Sequence, residues 1–315
     1  MAYTTDDFLT VLKQEVMAPA KQSLYSDLAF LRQADKVIRG YFVPLIRKMR
    51  EEFFILTQYQ QFTANQANYD IPHRSIARSL RDLKMIAYDG AVPDPESGTR
   101  DLPYISPEDS HIFPEQADSP VGFTIQADKI VMVPAPANDD WGLRIDYPLR
   151  PSRLSLVTAA ALVTSVTADA VTVTSVPSGF SSPVLVDFVQ GKQGHSVYGI
   201  DTAILSVNAN IIEFATGAVP DGIVAGDYLC LAGTSPIIML PEDCFPLLVT
   251  KTAIRILKTM KDAEGAALLQ PDADEEERNL IGILDPRVEG EPKKIVNRFG
   301  LLRGRMNRNR FLYRE

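Results

Sequence analysis

Apolar positions along this chain change period several times, and each change marks a new kind of element. Phe8, Leu9, Leu12 and Val16 recur at helical spacing. They follow Thr5, suited to cap a helix start, and Asp6 and Asp7, whose charges favour a helix N-terminus. Pro19 ends that run. A second helical face begins near Ser26 and carries Phe30, Leu31, Ala34, Val37, Ile38, Tyr41, Leu45 and Met49. Gly40 and Pro44 fall inside it and predict a kink or a break, because proline removes a helix hydrogen bond and crowds the preceding turn.

From about Phe53 to Pro148 aromatic and β-branched residues alternate instead, with turn signals at Ala64-Asn65 and Tyr69-Asp70-Ile71-Pro72. This predicts a β-rich region with long proline-containing loops. Lys129–Val133 and Trp141–Tyr147 read as strands, and the PAPANDD between them is long enough for a hairpin connection. Residues 154–235 lose nearly all charge and are dominated by Val, Thr, Ser, Ala and Gly, as in Ala170–Thr174, Leu185–Val189 and Ile211–Phe214. That is the composition of a small antiparallel barrel or sandwich. Helical periodicity returns after Pro241 and Glu242 with Leu247, Leu248, Lys251, Ile254, Leu257 and Met260. This helix is expected to pack on the N-terminal ones, so the charge-poor segment reads as an insertion. A short acidic helix, 274–284, then leads through Asp285-Pro286 into an arm. The predicted fold class is α+β: a helical bundle with associated β-strands (1–153 and 236–284), an inserted small all-β domain (154–235) and an extended C-terminal arm (285–315).

Size and composition narrow this picture. With 315 residues, 45% apolar and 23% charged, the chain has material for one large or two ordinary soluble domains. No run of about 18 apolar residues occurs, so no transmembrane helix is expected. The polar, acidic start is unlike a signal peptide. Cys230 and Cys244 sit among apolar neighbours without a C-x-x-C pattern, and read as two buried thiols in a reducing compartment.

The search for chemistry is negative. His73, His111 and His195 lack ligand spacing to one another, to Cys or to carboxylates, and read as surface or hydrogen-bonded loop residues. Gly191-Lys192-Gln193-Gly194-His195 fails the P-loop pattern and reads as a turn between strands. The segment 222–233 lacks a dinucleotide fingerprint, and no G-x-S-x-G elbow occurs. The acidic run Asp272, Asp274, Glu275, Glu276 and Glu277 lacks calcium-loop spacing and reads as a solvated helix N-terminus. No catalytic, cofactor or metal site is expected, and the chain is read as not an enzyme.

Charge gives the positive signal. The formal net charge is −8, yet Lys293 to Glu315 holds eight Lys/Arg and one Glu, which leaves a body of −15. Such an arm has two readings. Arginines and aromatics suit phosphates and stacked bases, giving a nucleic-acid-binding protein. Alternatively, Leu301, Leu302, Phe311, Leu312 and Tyr313 are apolar anchors that fold on binding another protein, with arginines forking onto carboxylates. The acidic body and the absence of a nucleic-acid module favour docking. A third reading, a receptor-binding or fibre-type protein, takes its cue from the Val/Thr/Ser-rich middle.

Three stretches together carry a resemblance: Tyr69–Arg74 (YDIPHR), Gly226–Ile237 (GDYLCLAGTSPI) and Pro286–Ile295 (PRVEGEPKKI). In this order, with a helical start and an acidic-to-basic end, the chain resembles the head-to-tail adaptor (connector) proteins of tailed bacteriophages, especially short-tailed ones. The resemblance implies a structural virion protein of the neck or tail, made in the host bacterial cytoplasm. It implies a helical ring of twelve subunits beneath the portal protein, with genomic DNA transiting its channel unbound and no membrane partner. The far face would take the tail nozzle or another tail protein, and 154–235 would face outward and hold tail fibres or neighbouring subunits. The arm would dock on the portal through Lys293, Lys294, Arg298, Phe299, Leu301, Leu302, Arg303, Arg305, Arg308, Arg310, Phe311 and Tyr313. An acidic channel wall would repel phosphates and let a duplex slide.

Overall fold

A computed structural model describes residues 3–16, 25–90, 92–191 and 197–284. Helix α1 spans Thr5–Glu15 and starts with a capping box: the Thr4 hydroxyl accepts from the Asp7 N–H, and the Asp7 carboxylate accepts from the Thr4 N–H. The cap is therefore Thr4, not the expected Thr5. Thr5 is fully buried, and its hydroxyl donates to the Ser155 carbonyl at 2.8 Å. Helix α2 (Asp27–Val37) starts where expected, with Ser26 Oγ accepting from the Ala29 N–H. The expected break is a π-turn at Ile38–Phe42 that contains Gly40, followed by α3 (Val43–Met49). Pro44 lies in the opening turn of α3, where its missing N–H weighs least.

Helix α4 (Phe245–Met260) is buried along most of its length, and α1, α2, α5 (Ala263–Leu268) and α6 (Gln270–Leu284) all pack on it. Phe8, Leu12, Ile46, Leu248 and Ile256 are fully enclosed in this core. Lys251 reaches from α4 to Glu277 of α6 at 2.8 Å, and its ammonium lies over the Tyr41 ring.

A second core is made mainly by strands. Ile55–Gln61, Trp141–Pro148, Asp82–Asp89 and Val92–Asp101 form one antiparallel sheet in that order. Asn68–Asp70, Lys129–Val133 and Gly122–Gln126 form a three-stranded sheet. Tyr69, Ile130, Leu143, Ile145 and Tyr147 from the two sheets fill the space between them. The expected hairpin between Lys129–Val133 and Trp141–Tyr147 is thus corrected, since the two strands lie in different sheets. PAPANDD is not a free turn: within it Ala135–Pro136 pairs in parallel with Gln116–Ala117. At Gly142 the sheet tolerates no side chain. A Cβ there would lie 2.3 Å from the Tyr88 ring and 2.6 Å from the Gln60 carbonyl oxygen. Gly142→Ala is expected to lower stability by about 1–3 kcal/mol, the usual range for overpacking, read as a lowered melting temperature.

Residues 161–231 close a six-stranded barrel in the order Ala161–Val166, Ala170–Val173, Ile211–Phe214, Val197–Asn208, Leu185–Val189 and Tyr228–Leu231. Val171, Val186, Phe188, Ile204, Ile212, Phe214 and Leu229 fill its interior. Leu185–Val189 is buried on both faces: Val186 and Phe188 point into the barrel, whereas Val189 joins Cys230, Ile237 and Met239 in a small cluster outside it. The chain reaches the barrel along Arg153–Leu154 and leaves it along Thr234–Ser235, and these two short strands pair in parallel.

The expected architecture of a helical bundle with appended strands and a small inserted β domain is therefore overturned. Strand makes up 35% of the described residues against 33% helix, and it is distributed over several sheets. The helices gather around α4, but the sheets at 55–148 have a core of their own. Residues 285–315, which hold the expected arm and every expected docking residue from Lys293 to Tyr313, lie outside the described residues. So do Pro19 and the Lys192–His195 part of the expected turn.

Candidate functional site

Two of the three stretches that carry the resemblance meet at one buried ion pair. Arg74 follows the strand Asn68–Asp70, and only 8% of it is exposed. Its Nη1 lies 2.7 Å from both carboxylate oxygens of Asp187, which is fully buried in the barrel strand Leu185–Val189. Its Nη2 donates to Ser152 Oγ at 2.9 Å. Asp187 also accepts the backbone N–H of Asp201 on Oδ1 and that of Gly233 on Oδ2. Asp201 stands 3.6 Å from Arg74 Nη1, and its other oxygen is 3.4 Å from His73 Nε2. Tyr69–Arg74 and Gly226–Ile237, far apart in sequence, thus share one polar node that fastens the barrel to the strand core.

Beside this node runs a basic cleft. Arg32 and Lys36 on α2, Arg39 in the π-turn, and Arg150 and Arg153 on the way to the barrel line two adjoining hollows. Leu28, Ala29, Leu154 and Leu156 supply an apolar floor, and Leu28 is 45% exposed. None of these five cations makes an ion pair among the described residues. Burial pushes the Arg39 pKa down; Asp35 pulls it back up, and repulsion from Arg153 and Arg150 adds to the fall. Two carboxylates line the cleft, Asp35 in the first hollow and Asp201 in the second, and Asp35 accepts the Leu154 N–H at 3.0 Å. Burial raises its pKa, against that hydrogen bond and the attraction of Arg39 and Arg153.

A carboxyl whose pKa is higher in the folded state contributes stability below the unfolded pKa and loses it as pH rises through the folded pKa. Asp35→Asn removes that dependence. The variant is expected to gain melting temperature relative to the parent at neutral pH, with the gain shrinking toward acid. Paired thermal melts across pH check it.

The acidic run is divided by the helix that carries it. Helix α6 begins at Gln270, earlier than expected. Glu277 turns inward to Lys251, whose ammonium lowers its pKa, and half-buried Glu276 is pushed up chiefly by burial. Asp272, Asp274 and Glu275 stay exposed, together with Glu264 of α5. The expected solvated helix start thus describes only the outer part of the run. Leu268, 73% exposed, lies between Glu264 and Asp272 in sequence, and Ile281 and Ile283 are exposed toward the end of α6.

His73 and His111 are exposed, and His195 lies outside the described residues. Cys230 and Cys244 are free and buried; burial pushes the Cys244 thiol up to about 12 and the Cys230 thiol further, so both stay protonated. Among the described residues no group of three His, Cys, Asp or Glu is placed to hold a metal, and no helix is long and apolar enough to cross a membrane.

No protein-family model matches this chain, and no curated protein matches it. The roles of Arg74 and Asp187 were missed in the sequence, although one signal was present. Asp187 is a lone charge inside Leu185-Val186-Asp187-Phe188-Val189, in a region almost without charges. A carboxylate there needs a buried partner. The basic cleft gave no such sign, because its cations come from α2, the π-turn and the 150–153 segment, which only folding brings together.

Proposed function

We propose that this protein is a non-enzymatic structural component of a virion, a head-to-tail adaptor whose copies form a ring joining a portal protein to the tail, with DNA passing through the channel. The observation that carries the reading is the Arg74–Asp187–Gly233 node. Two stretches on which the adaptor resemblance rests converge there on a buried fastening between modules. Their most distinctive polar groups serve architecture, as a load-transmitting ring component requires. The arm from Lys293 to Glu315 supplies the portal contact in this reading, and the −15 body supplies a channel that does not grip phosphate.

Deleting Lys293–Glu315 is expected to leave the thermal melt of the body unchanged and to abolish co-sedimentation with a purified portal ring. Normal assembly of the truncated protein on portals would overturn the assignment of the arm. The same two proteins separate this reading from nucleic-acid binding. A gel shift on duplex DNA that weakens steeply with salt and disappears with the arm would favour the basic arm as a DNA ligand.

A further inference from the structure

We propose that the basic cleft on α2 is the socket for a second copy of this chain, receiving the acidic, leucine-bearing surface of that copy's α5 and α6. The inference rests on the ring reading and specifies its subunit contact. Arg32, Lys36, Arg39, Arg150 and Arg153 converge without an ion-pair partner among the described residues, around a floor that includes half-exposed Leu28. Glu264, Asp272, Asp274 and Glu275 are exposed on α5 and α6, Leu268 is exposed between Glu264 and Asp272 in sequence, and Arg278 is the exposed cation further along α6. Each surface holds what the other lacks in charge, and each has an apolar centre to bury. That combination of aliphatic anchor and charged rim is the anatomy of a protein interface.

A single-stranded nucleic acid is the poorer occupant. The hollow containing Leu28 is lined without a single aromatic residue on which a base could stack, and its aliphatic floor offers nothing to phosphate. An acidic helix fits both parts of the site. The two surfaces share no residue, although both α2 and α6 pack on α4. A contact between two different patches of identical chains is head-to-tail, and it propagates until rotation closes a ring.

Charge reversal tests this with the full-length chain. The first variant carries Arg32→Glu, Lys36→Glu and Arg153→Glu; the second carries Glu264→Lys, Asp272→Lys and Glu275→Lys. All six positions are exposed, and circular dichroism melts verify folding. In mass measurements at low ionic strength the parent is expected to oligomerise and each variant alone to be monomeric. An equimolar mixture should regain oligomers, because the reversed cleft now matches the reversed helix while the two unreversed surfaces still match each other. Variants that oligomerise like the parent, a mixture that stays monomeric, or a parent that stays monomeric both alone and with portal would overturn the socket. A parent that forms rings rescued by mixing yet binds no portal would sink the adaptor reading and leave the socket standing.

Discussion

Arg74→Ala is expected to destabilise the fold by about 3–5 kcal/mol, the range for removing one partner of a buried ion pair. The loss comes from what remains. Asp187 is fully buried, and without the guanidinium its charge keeps only the N–H groups of Asp201 and Gly233. Replacing a buried pair by apolar residues of matching volume is often neutral, but that outcome is not expected here. An apolar residue at 187 would leave those two backbone donors buried without acceptors, at about 1–3 kcal/mol each. Asp187→Asn should therefore be milder than Asp187→Leu, since an amide oxygen still accepts from backbone. Arg74→Lys keeps a charge but lacks the second nitrogen that reaches Ser152, and should fall between the parent and Arg74→Ala. Urea denaturation of the four variants orders these effects. A loss below 1 kcal/mol for Arg74→Ala would show that the node is not the fastening described above.

Phe188→Ala is expected to cost about 3–5 kcal/mol, the range for deleting a buried aromatic from a core. Phe188 is 1% exposed, and its ring packs against Phe214 with centroids 5.3 Å apart. Neighbours in a closed barrel are tied to one another around the circle, so they have little freedom to collapse into the vacated space. Phe188→Leu keeps much of the volume and should cost about half as much or less. Because Asp187 and Phe188 are adjacent and face opposite ways, Phe188→Ala and Arg74→Ala probe the two sides of one strand. Their effects are expected to be more than additive if loosening the barrel also misplaces the Asp187 carboxylate, and a double-mutant cycle measures that coupling.

Local signals in the sequence were accurate where one residue type decides the outcome. Ser26 caps α2, Gly40 lies in the π-turn and Pro44 in the opening turn of the next helix, and Leu185–Val189 and Ile211–Phe214 are strands with the expected bounds. Pairing was not legible, because a strand carries no mark of its neighbour. Lys129–Val133 and Trp141–Pro148 are close in sequence, yet each found better partners in a different sheet. The weight of β structure was also underestimated. Ile55–Gln61 falls inside the expected β-rich region, but nothing in ILTQYQQ marks it as the edge strand of a sheet with its own core. Thr4 displaced Thr5 as cap for a tertiary reason, since Thr5 is used 150 residues away at Ser155. The site was least legible of all. Arg74 stood inside a recognised stretch, but its partner was set by the closure of a barrel more than a hundred residues later.

The parallel pairing of Arg153–Leu154 with Thr234–Ser235 has an evolutionary consequence. Where the chain departs for the barrel and where it returns lie one strand spacing apart, roughly 4.8 Å. Two genetic crossovers at these points could exchange the intervening eighty or so codons for any other module with adjacent ends, without shifting the helices around α4 or the sheets at 55–148. Such a cassette has to deliver a carboxylate to Arg74, as Asp187 does, and an apolar face to Ile237 and Met239, as Val189 and Cys230 do. A lineage that replaced the barrel would have to bring its own acidic residue to that spot or lose the arginine as well, so residue 74 is the position at which past exchanges of this module would leave their trace.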